Sequence, residues 1–317
     1  MSDNVVTVVL AGDQNYAMPL AVAASSVIST LDPQYRLQLC VLDMGIGPAS
    51  RKLMEQTFDK PGVETRWVDT LKDRVGHLPH TFGFITRATY ARLYIPSVLP
   101  ETEKRALYLD CDTLARRSVS ELFFADMDGA AAMGSPDVQS PFVSSTYAVP
   151  YWADRGRQAE DLNYNAGVLL MDLDMWRKER INERALEYLT DGRHHFAQDQ
   201  EAINAVLPGQ IKQMDPRWNQ QSEIFQKQYE VIQPFSREVL KQIMEDPWLI
   251  HYCNVVKPWH YGFAHPFLSE WYAALDQTAF AGWRPSRSRH IAKVTYQAGR
   301  VAAGKAARGL GLRKARA

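Results

Sequence analysis

Apolar and polar residues alternate along the first 70 positions in a way that predicts three strands separated by two helices. The strand candidates are residues 4–10, 37–42 and 62–68. They are rich in β-branched and other apolar residues, as expected for strands that are covered on both faces. Residues 18–31 and 50–58 have helical length, and Ser50 is a candidate helix cap. This order predicts an α/β fold with a Rossmann-like, mostly parallel sheet flanked by helices.

The same alternation continues through the rest of the chain. Further strands are predicted at residues 106–109, 130–133, 165–173 and 249–253. Helices are predicted at residues 87–95, ending near Pro96, at 175–189, and from 198 to 204. The fingerprint Gly-x-Gly-x-x-Gly does not follow the first strand, which counts against a dinucleotide-binding dehydrogenase.

Two aspartates, Asp110 and Asp112, directly follow the predicted strand of residues 106–109. In an open α/β sheet, ligands bind at the carboxyl ends of the strands. Hard carboxylate oxygens suit Mg²⁺ or Mn²⁺, and such an ion can bridge to phosphates. An Asp-x-Asp sequence is also an ordinary turn at a strand end, so the pair alone leaves both interpretations open.

Composition places the chain among globular proteins without a membrane span. Hydrophobic residues make up 46% and charged residues 23% of the 317 positions, which is ordinary for a folded domain. No run of about 18 apolar residues is present, and the first residues lack the basic region of a signal peptide. Three widely spaced cysteines indicate a reducing environment, so we expect a cytoplasmic protein.

Six segments in a fixed order resemble one known family. They are Ala11-Gly-Asp-Gln-Asn-Tyr16, Thr89-Tyr-Ala-Arg-Leu93, Tyr108-Leu-Asp-Cys-Asp112, Tyr164-Asn-Ala-Gly-Val-Leu-Leu170, Gln198-Asp-Gln-Glu201 and His251-Tyr-Cys-Asn-Val-Val-Lys-Pro-Trp-His260. Over roughly residues 4–275 the chain resembles the family 8 glycosyltransferases. This retaining group with the GT-A fold includes bacterial lipopolysaccharide galactosyl- and glucosyltransferases and glycogenin.

The resemblance implies a metal and nucleotide site. It assigns Asp110, Asp112 and His251 as ligands of one Mn²⁺, with Mg²⁺ as an alternative, and Lys257 and Arg92 as contacts of the diphosphate and the donor sugar. The nucleotide base and ribose are assigned to Ala11, Asp13 and Asn15. By composition alone, Lys257 and Arg92 are ordinary surface cations, and His251 is an ordinary structural histidine.

The resemblance also implies a sugar site formed by Asp137, Asn165, Asp199 and Gln200, for which helix capping or solvated turns are the alternative. An amide such as that of Gln200 is a poor nucleophile, so we favour internal return, in which the acceptor enters on the face that the diphosphate leaves. Double displacement with Asp199 or another carboxylate as nucleophile stays open. A mobile lid is expected at residues 75–84, where His77 and His80 contact the acceptor or are structural.

These assignments predict an enzyme that moves a hexose, galactose or glucose, from a UDP-sugar to a glycan or glycolipid. The alternatives are a self-glucosylating primer of the glycogenin type and a nucleotide-sugar-binding protein without turnover. After the His-Tyr-Cys triplet, Asn254, Val255 and Val256 stand where related bacterial enzymes often have small residues or proline. The acceptor therefore cannot be taken over from any relative.

A basic tail follows the predicted catalytic domain of residues 1–282. Residues 283–317 contain ten Lys or Arg and no acidic residue, which leaves the first 282 residues with 26 basic against 36 acidic residues. Apolar residues recur in the tail at helical spacing, so we expect a basic amphipathic helix that attaches peripherally to an anionic membrane. A disordered tail is the alternative, and no nucleic-acid partner is expected.

Overall fold

The structure is a computed structural model that describes residues 4–79, 81, 86–191, 198–225, 234–288 and 291. Its strands are β1 (Val5–Gly12), β2 (Arg36–Asp43), β3 (Val63–Val68), β4 (Arg105–Leu109), β5 (Thr113–Ala115), β6 (Ala132–Pro136), β7 (Tyr164–Asp172), β8 (Ile211–Gln213), β9 (Gln220–Gln221) and β10 (Leu249–His251). Its α-helices are α1 (Ala17–Thr30), α2 (Pro48–Phe58), α3 (Leu71–Arg74), α4 (Ile95–Val98), α5 (Ser120–Phe123), α6 (Leu173–Lys178), α7 (Ile181–Leu189), α8 (Gln198–Val206), α9 (Arg237–Glu245) and α10 (Leu268–Leu275). Short 3₁₀ helices lie at Gln14–Tyr16, Arg87–Tyr94, Ala153–Arg155, Pro216–Asn219 and Ser222–Phe225.

The larger of two sheets has the strand order β3-β2-β1-β4-β7-β6-β8. Strands β3, β2, β1 and β4 are parallel neighbours, β7 runs antiparallel between β4 and β6, and β6 and β8 are parallel. Because β7 runs against β4, its first residues lie beside the carboxyl ends of β1 and β4. The predicted α/β fold with a mostly parallel sheet is confirmed.

Both faces of this sheet are buried. Along β1, Val8 and Leu10 pack with residues of α1 and α2, whereas Val9 and Ala11 pack on the opposite face with residues of α4, α6, α7 and α8. Successive side chains of a strand point to opposite faces. Burial on both sides therefore explains why the strand sequence is apolar almost without interruption.

A small second sheet, in the order β5-β10-β9, brings distant parts of the chain together. In β10, His251 lies opposite Thr113 of the antiparallel strand β5 and opposite Gln221 of the parallel strand β9. Just beyond the ladder, the backbone N–H of Tyr252 donates to the carbonyl of Asp112 over 2.8 Å. The register of this sheet therefore places His251 beside the two aspartates that follow β4.

Two predicted helices differ from the structure. Residues 87–95 are not one α-helix, because a 3₁₀ helix (Arg87–Tyr94) is followed by α4, in which Pro96 lies in the first turn. Proline is tolerated there because the first N–H groups of a helix have no intrahelical partner. Residues 175–189 form two helices, α6 and α7, since Arg180 between them has a left-handed φ of 51° that interrupts the hydrogen-bond ladder.

The predicted cap at Ser50 is also wrong. Helix α2 begins at Pro48 with Gly47 as its N-cap residue. The hydroxyl of Ser50 instead accepts a hydrogen bond from Gln14 Nε2, and Gln14 Oε1 accepts one from the backbone N–H of Gly47. The side chain of Gln14 thereby fastens the loop after β1 to the start of α2.

Most of the predicted basic tail lies outside the described residues, which past residue 288 include only Ile291. Its amphipathic helix and its attachment to anionic lipid therefore stay predictions. Of the helices that the structure describes, none is both long enough and apolar enough to cross a bilayer.

The small sheet depends on an apolar cluster beneath β10, and this dependence can be tested by truncation. Ile250 is fully buried and packs with Leu114 and Trp271. We predict that Ile250→Ala lowers the free energy of unfolding by roughly 2–5 kcal/mol in urea denaturation, because it leaves a cavity. The matched control Ile291→Ala, at a side chain that is 53% exposed, should change that free energy by no more than about 0.5 kcal/mol. Equal losses in the two variants would contradict this account of the cluster.

Candidate active site

The ends of three neighbouring strands converge on one pocket. Strands β1 and β4 end there, and β7 begins there, because it runs in the opposite direction. The backbone N–H of Asp110 donates to the carbonyl of Gly167 over 2.8 Å, which fixes the end of β4 against the start of β7. The pocket has a volume of about 400 Å³, within the usual range for a small-molecule site.

Asp110, Asp112 and His251 form a tight cluster in this pocket. The Nε2 atom of His251 lies 3.3 Å from Asp112 Oδ1 and 3.6 Å from Asp110 Oδ2. One ligand atom of each residue lies within 4.8 Å of the others. Burial lowers the pKa of His251, but the neighbouring Asp112 raises it, and the net pKa is above the ordinary value. The three residues that the resemblance assigned to a metal are thus brought together.

Gly167 leaves the space in which this cluster sits. A Cβ atom at this position would lie 2.2 Å from His251 Cε1 and 2.7 Å from Asp110 Oδ2. No side chain fits there without displacing the imidazole or the carboxylate. Gly167 lies within the segment Tyr164–Leu170, but nothing in that segment indicates this role.

The donor set and its surroundings fit a divalent metal ion. Two carboxylates and one imidazole are a ligand set suited to a borderline-hard ion such as Mn²⁺. The imidazole is oriented from behind, since His251 Nδ1 lies 2.9 Å from Asn219 Oδ1. Partners of this kind usually fix the ring of a metal-binding histidine. Asn219 was not identified from the sequence, because no motif surrounds it.

Arg92 is buried and paired with two aspartates, although an arginine on a helix is usually exposed. Its Nη2 lies 2.8 Å from Asp110 Oδ1 and its Nε lies 2.8 Å from Asp199 Oδ2. The guanidinium also stacks 4.4 Å from the ring centroid of Tyr108. Burial lowers the pKa of Arg92, but Asp110 and Asp199 raise it above the ordinary value. This cation therefore links Asp110 at the end of β4 to Asp199 of α8.

Lys257 is likewise buried rather than exposed. Its Nζ donates to Asp112 Oδ2 over 2.5 Å and to the carbonyl of Tyr252 over 2.9 Å. Burial raises the pKa of Asp112, but Lys257 and His251 lower it, and the net pKa lies below the ordinary value. Asp112 in turn raises the pKa of Lys257 more than burial lowers it. A charged ammonium group thus borders the cluster of Asp110, Asp112 and His251.

The residues assigned to the sugar are also close together. Asn165 Nδ2 and Gln200 Nε2 donate to Asp137 Oδ2 over 3.1 and 3.0 Å. The other carboxylate oxygen of Asp137 accepts from the backbone N–H groups of Gln139 and Ser140. Asp137 is therefore a buried acceptor that orients two amides, and not a solvated turn residue.

The residues assigned to the nucleotide divide into two groups. Ala11 lines the pocket. Asp13 and Asn15 do not belong to its wall, and Asp13 Oδ1 accepts from the backbone N–H of Asn15 over 2.8 Å, which caps the 3₁₀ helix after β1. Contacts of Asp13 and Asn15 with a base or ribose stay predictions.

Glu223 is a pocket residue that was not found from the sequence. It is only 3% exposed, and its carboxylate accepts from Cys253 Sγ and from Gln139 Nε2. Burial raises the pKa of Glu223 above its ordinary value. Residues 218–257 show no clear periodicity, so their sequence gave no signal for a site carboxylate.

The predicted lid is only partly described. His80 and residues 82–85 lie outside the described residues, and His77 is exposed. Closure of this segment and a role of either histidine at the acceptor stay predictions.

Comparisons with known proteins show the family of this chain. The model of glycosyl transferase family 8 matches residues 7–262. General stress protein A of Bacillus subtilis (strain 168) is 28% identical over 287 residues, or 87% of this chain and 95% of that protein. Lipopolysaccharide 1,2-glucosyltransferase of Escherichia coli (strain K12) is 26% identical over 283 residues, or 88% of this chain and 80% of that protein.

A solved structure has a similar fold. The galactosyltransferase LgtC, crystallised with donor and acceptor sugar analogues, is 25% identical with a TM-score of 0.71, over 90% of this chain and 99% of that chain. The predicted GT-A fold is thereby confirmed. Since the family model spans the sequence from β1 to beyond Lys257, the chain belongs to glycosyltransferase family 8 and is a glycosyltransferase.

Proposed function

We propose that this protein is a retaining hexosyltransferase that moves galactose or glucose from a UDP-sugar to a hydroxyl of a glycan or glycolipid, with the help of a divalent metal. The observation that carries the proposal is the cluster of Asp110, Asp112 and His251 with Lys257 beside it. Such a set suits a substrate that leaves as a nucleoside diphosphate, because that leaving group gains negative charge as the glycosidic bond breaks.

The metal ligands in this proposal are Asp110, Asp112 and His251. When bound, Mn²⁺ or Mg²⁺ supplies positive charge that stabilises the departing diphosphate. Lys257 lies within reach of the same group and adds a second, fixed positive charge. Arg92 holds Asp110 and Asp199 in position, so the ligand Asp110 needs little reorganisation when the donor binds.

The hydrogen bonds of Asp199 favour internal return over double displacement. Its Oδ1 accepts from Thr89 Oγ1 over 2.6 Å and its Oδ2 pairs with Arg92. Both oxygens are engaged, so attack on the sugar would have to break an ion pair or a short hydrogen bond. Gln200 presents an amide, which is a poor nucleophile. In our proposal the acceptor hydroxyl therefore enters on the face that the diphosphate leaves, and a diphosphate oxygen takes its proton.

The acceptor is proposed only at the level of its chemical class. The E. coli relative is named a lipopolysaccharide glucosyltransferase, and the Salmonella typhimurium relative is named a lipopolysaccharide 1,3-galactosyltransferase. We infer a saccharide acceptor, free or carried on a lipid, and a role in building a cell-surface glycan.

The donor can be identified without knowledge of the acceptor. Without an acceptor, water is the remaining hydroxyl compound that can attack the donor sugar, so slow hydrolysis would report the donor by itself. We predict that, across a panel of UDP-sugars with Mn²⁺, UDP-galactose or UDP-glucose gives the fastest UDP release, and that EDTA abolishes it. If no donor releases UDP with either metal or with added glycan acceptors, the nucleotide-sugar-binding alternative replaces the proposal.

The role of the acidic pair can be tested with isosteric variants. We predict that Asp110→Asn and Asp112→Asn each lower metal-dependent UDP release by at least about 1000-fold, because the charge that holds the metal is lost. The control Asp174→Asn removes a surface carboxylate paired with Lys104 and should leave the rate unchanged. Circular dichroism should show the same fold for all three. Full activity in either site variant would contradict the metal assignment.

Gly167 provides a steric test of the same site. Because its Cβ would overlap His251 and Asp110, we predict that Gly167→Ala weakens Mn²⁺ binding by about 10- to 100-fold, measured by electron paramagnetic resonance in the presence of UDP. At Gly134 the nearest atom to a new Cβ, Tyr164 Cβ, is 3.4 Å away, so Gly134→Ala should bind Mn²⁺ normally. Unchanged affinity in Gly167→Ala would show that the cluster does not hold the metal.

A further inference from the structure

A continuous chain of hydrogen-bonded side chains joins the proposed metal ligand His251 to the side chains assigned to the donor sugar. We call it the relay, and its members are His251, Asn219, Asn165, Asp137 and Gln200. The distances are 2.9 Å from His251 Nδ1 to Asn219 Oδ1 and 3.0 Å from Asn219 Nδ2 to Asn165 Oδ1. Asn165 Nδ2 and Gln200 Nε2 then meet at Asp137 Oδ2. The relay therefore spans the pocket wall from one half of the site to the other.

Two backbone N–H groups determine the direction of every bond in the relay. The N–H of Gly167 donates to Asn165 Oδ1 over 3.0 Å, and the N–H of Ala166 donates to Gln200 Oε1 over 3.1 Å. A backbone N–H can only donate, so these two amide atoms must be oxygens. The nitrogen atoms of Asn165 and Gln200 consequently point to Asp137.

The same reasoning determines which nitrogen of His251 faces the aspartates as a ligand. Because Asn165 Oδ1 is an acceptor, the Asn219 atom that contacts it must be the NH₂ group. The Asn219 atom that contacts His251 is then an oxygen, and His251 Nδ1 carries a proton. Nε2, which faces Asp110 and Asp112, is therefore the nitrogen that can give its lone pair to a metal.

Asn219 is built into the core of the protein at this point. It is 2% exposed, as is His251. It ends the 3₁₀ helix that Asp215 caps, and it lies two residues before Gln221, which pairs with His251 in the small sheet. Its position is thus set by the same strand register that delivers the imidazole. A buried amide held in this way has little freedom to reverse its two polar atoms.

We propose that Asn219 is a positioning residue that couples metal binding to recognition of the donor sugar. Its oxygen orients His251 toward the metal, and its NH₂ group orients Asn165, which together with Gln200 and Asp137 contacts the sugar hydroxyls. The inference rests on the proposed function, because it takes the relay residues at the two ends to be metal ligand and sugar contact. Asn219 lies outside the six segments that resemble the family, and it connects the metal ligands to the sugar contacts.

Two substitutions separate the two contacts of Asn219. In Asn219→Ala both contacts are lost, so Mn²⁺ affinity in the presence of UDP should fall by about 10- to 100-fold. The ratio of UDP release from the preferred hexose donor to release from its C4 epimer should fall by about tenfold or more. In Asn219→Asp the carboxylate still accepts from His251 Nδ1 but cannot donate to Asn165. Mn²⁺ affinity should then stay at or above that of the wild type, while the epimer ratio falls as in the alanine variant.

The matched control is Asn163→Ala. Asn163 is 1% exposed and donates to the carbonyl of Ser140, outside the relay. In urea denaturation, Asn163→Ala should lose about as much stability as Asn219→Ala, but it should keep the Mn²⁺ affinity and the epimer ratio of the wild type.

The measurements are electron paramagnetic resonance of Mn²⁺ and UDP release on the full chain. Absence of Mn²⁺ binding in the wild type would refute the proposed function itself. Wild-type binding with Mn²⁺ affinity and epimer ratio unchanged in Asn219→Ala would overturn the inference alone. Parallel loss of both properties in Asn219→Asp and Asn219→Ala would show that the two contacts do not act separately, and would overturn the coupling.

Discussion

The site depends on the mutual neutralisation of charges that have been removed from water. Asp110, Asp112 and Asp199 line a pocket whose floor is the protein core, and isolated carboxylates in such a place are costly. Arg92 compensates two of them and Lys257 the third. Removing one partner from a buried pair costs more than the pair itself contributes. The cations and carboxylates are therefore bound to one another as a set, and replacing one of them leaves the charge of its partner uncompensated.

Antiparallel pairing between distant strands brings this set of residues together. If β7 were parallel to β4, its amino end, with Asn165 and Gly167, would lie at the opposite edge of the sheet. If β10 did not pair with β5, His251 would have no fixed relation to Asp112. The mixed sheet and the small second sheet together convert three separate stretches of chain into one pocket. Catalytic preorganisation of this kind requires rigid elements, because donors placed in advance need not reorganise during the reaction.

The parts of the structure that were predicted from sequence are those with a local physical signal. Strands β1 to β3 and the helices between them follow from burial on both faces. The place of Asp110 and Asp112 after a strand makes them candidate ligands, but it fits an ordinary turn equally well. Family resemblance supplied His251 and Lys257, which carry no local signal. The sequence does not predict the interruption between α6 and α7 at Arg180. A single residue with a positive φ does not change the helical spacing of apolar residues on either side of it.

Other features were missed because their cause is a partner far away in the sequence. Burial of Lys257 follows from Asp112, which lies 145 positions earlier. Asn219 and Glu223 reach the site only because β9, which lies between them, pairs with β10. Strand β9 has two residues, which is too short for an alternation of apolar and polar residues to show in the sequence. Gly167 matters because it leaves space for His251 and Asp110. One sequence does not show which glycine is needed for such a close approach.

In our proposal, Asp110, Asp112 and His251 jointly hold the metal that binds the donor diphosphate. Anomalous difference density from crystals grown with Mn²⁺ and UDP would locate this ion. We expect one strong peak within bonding distance of an oxygen of each aspartate, of His251 Nε2 and of diphosphate oxygens. A manganese peak that contacts UDP but none of these three side chains would contradict the account.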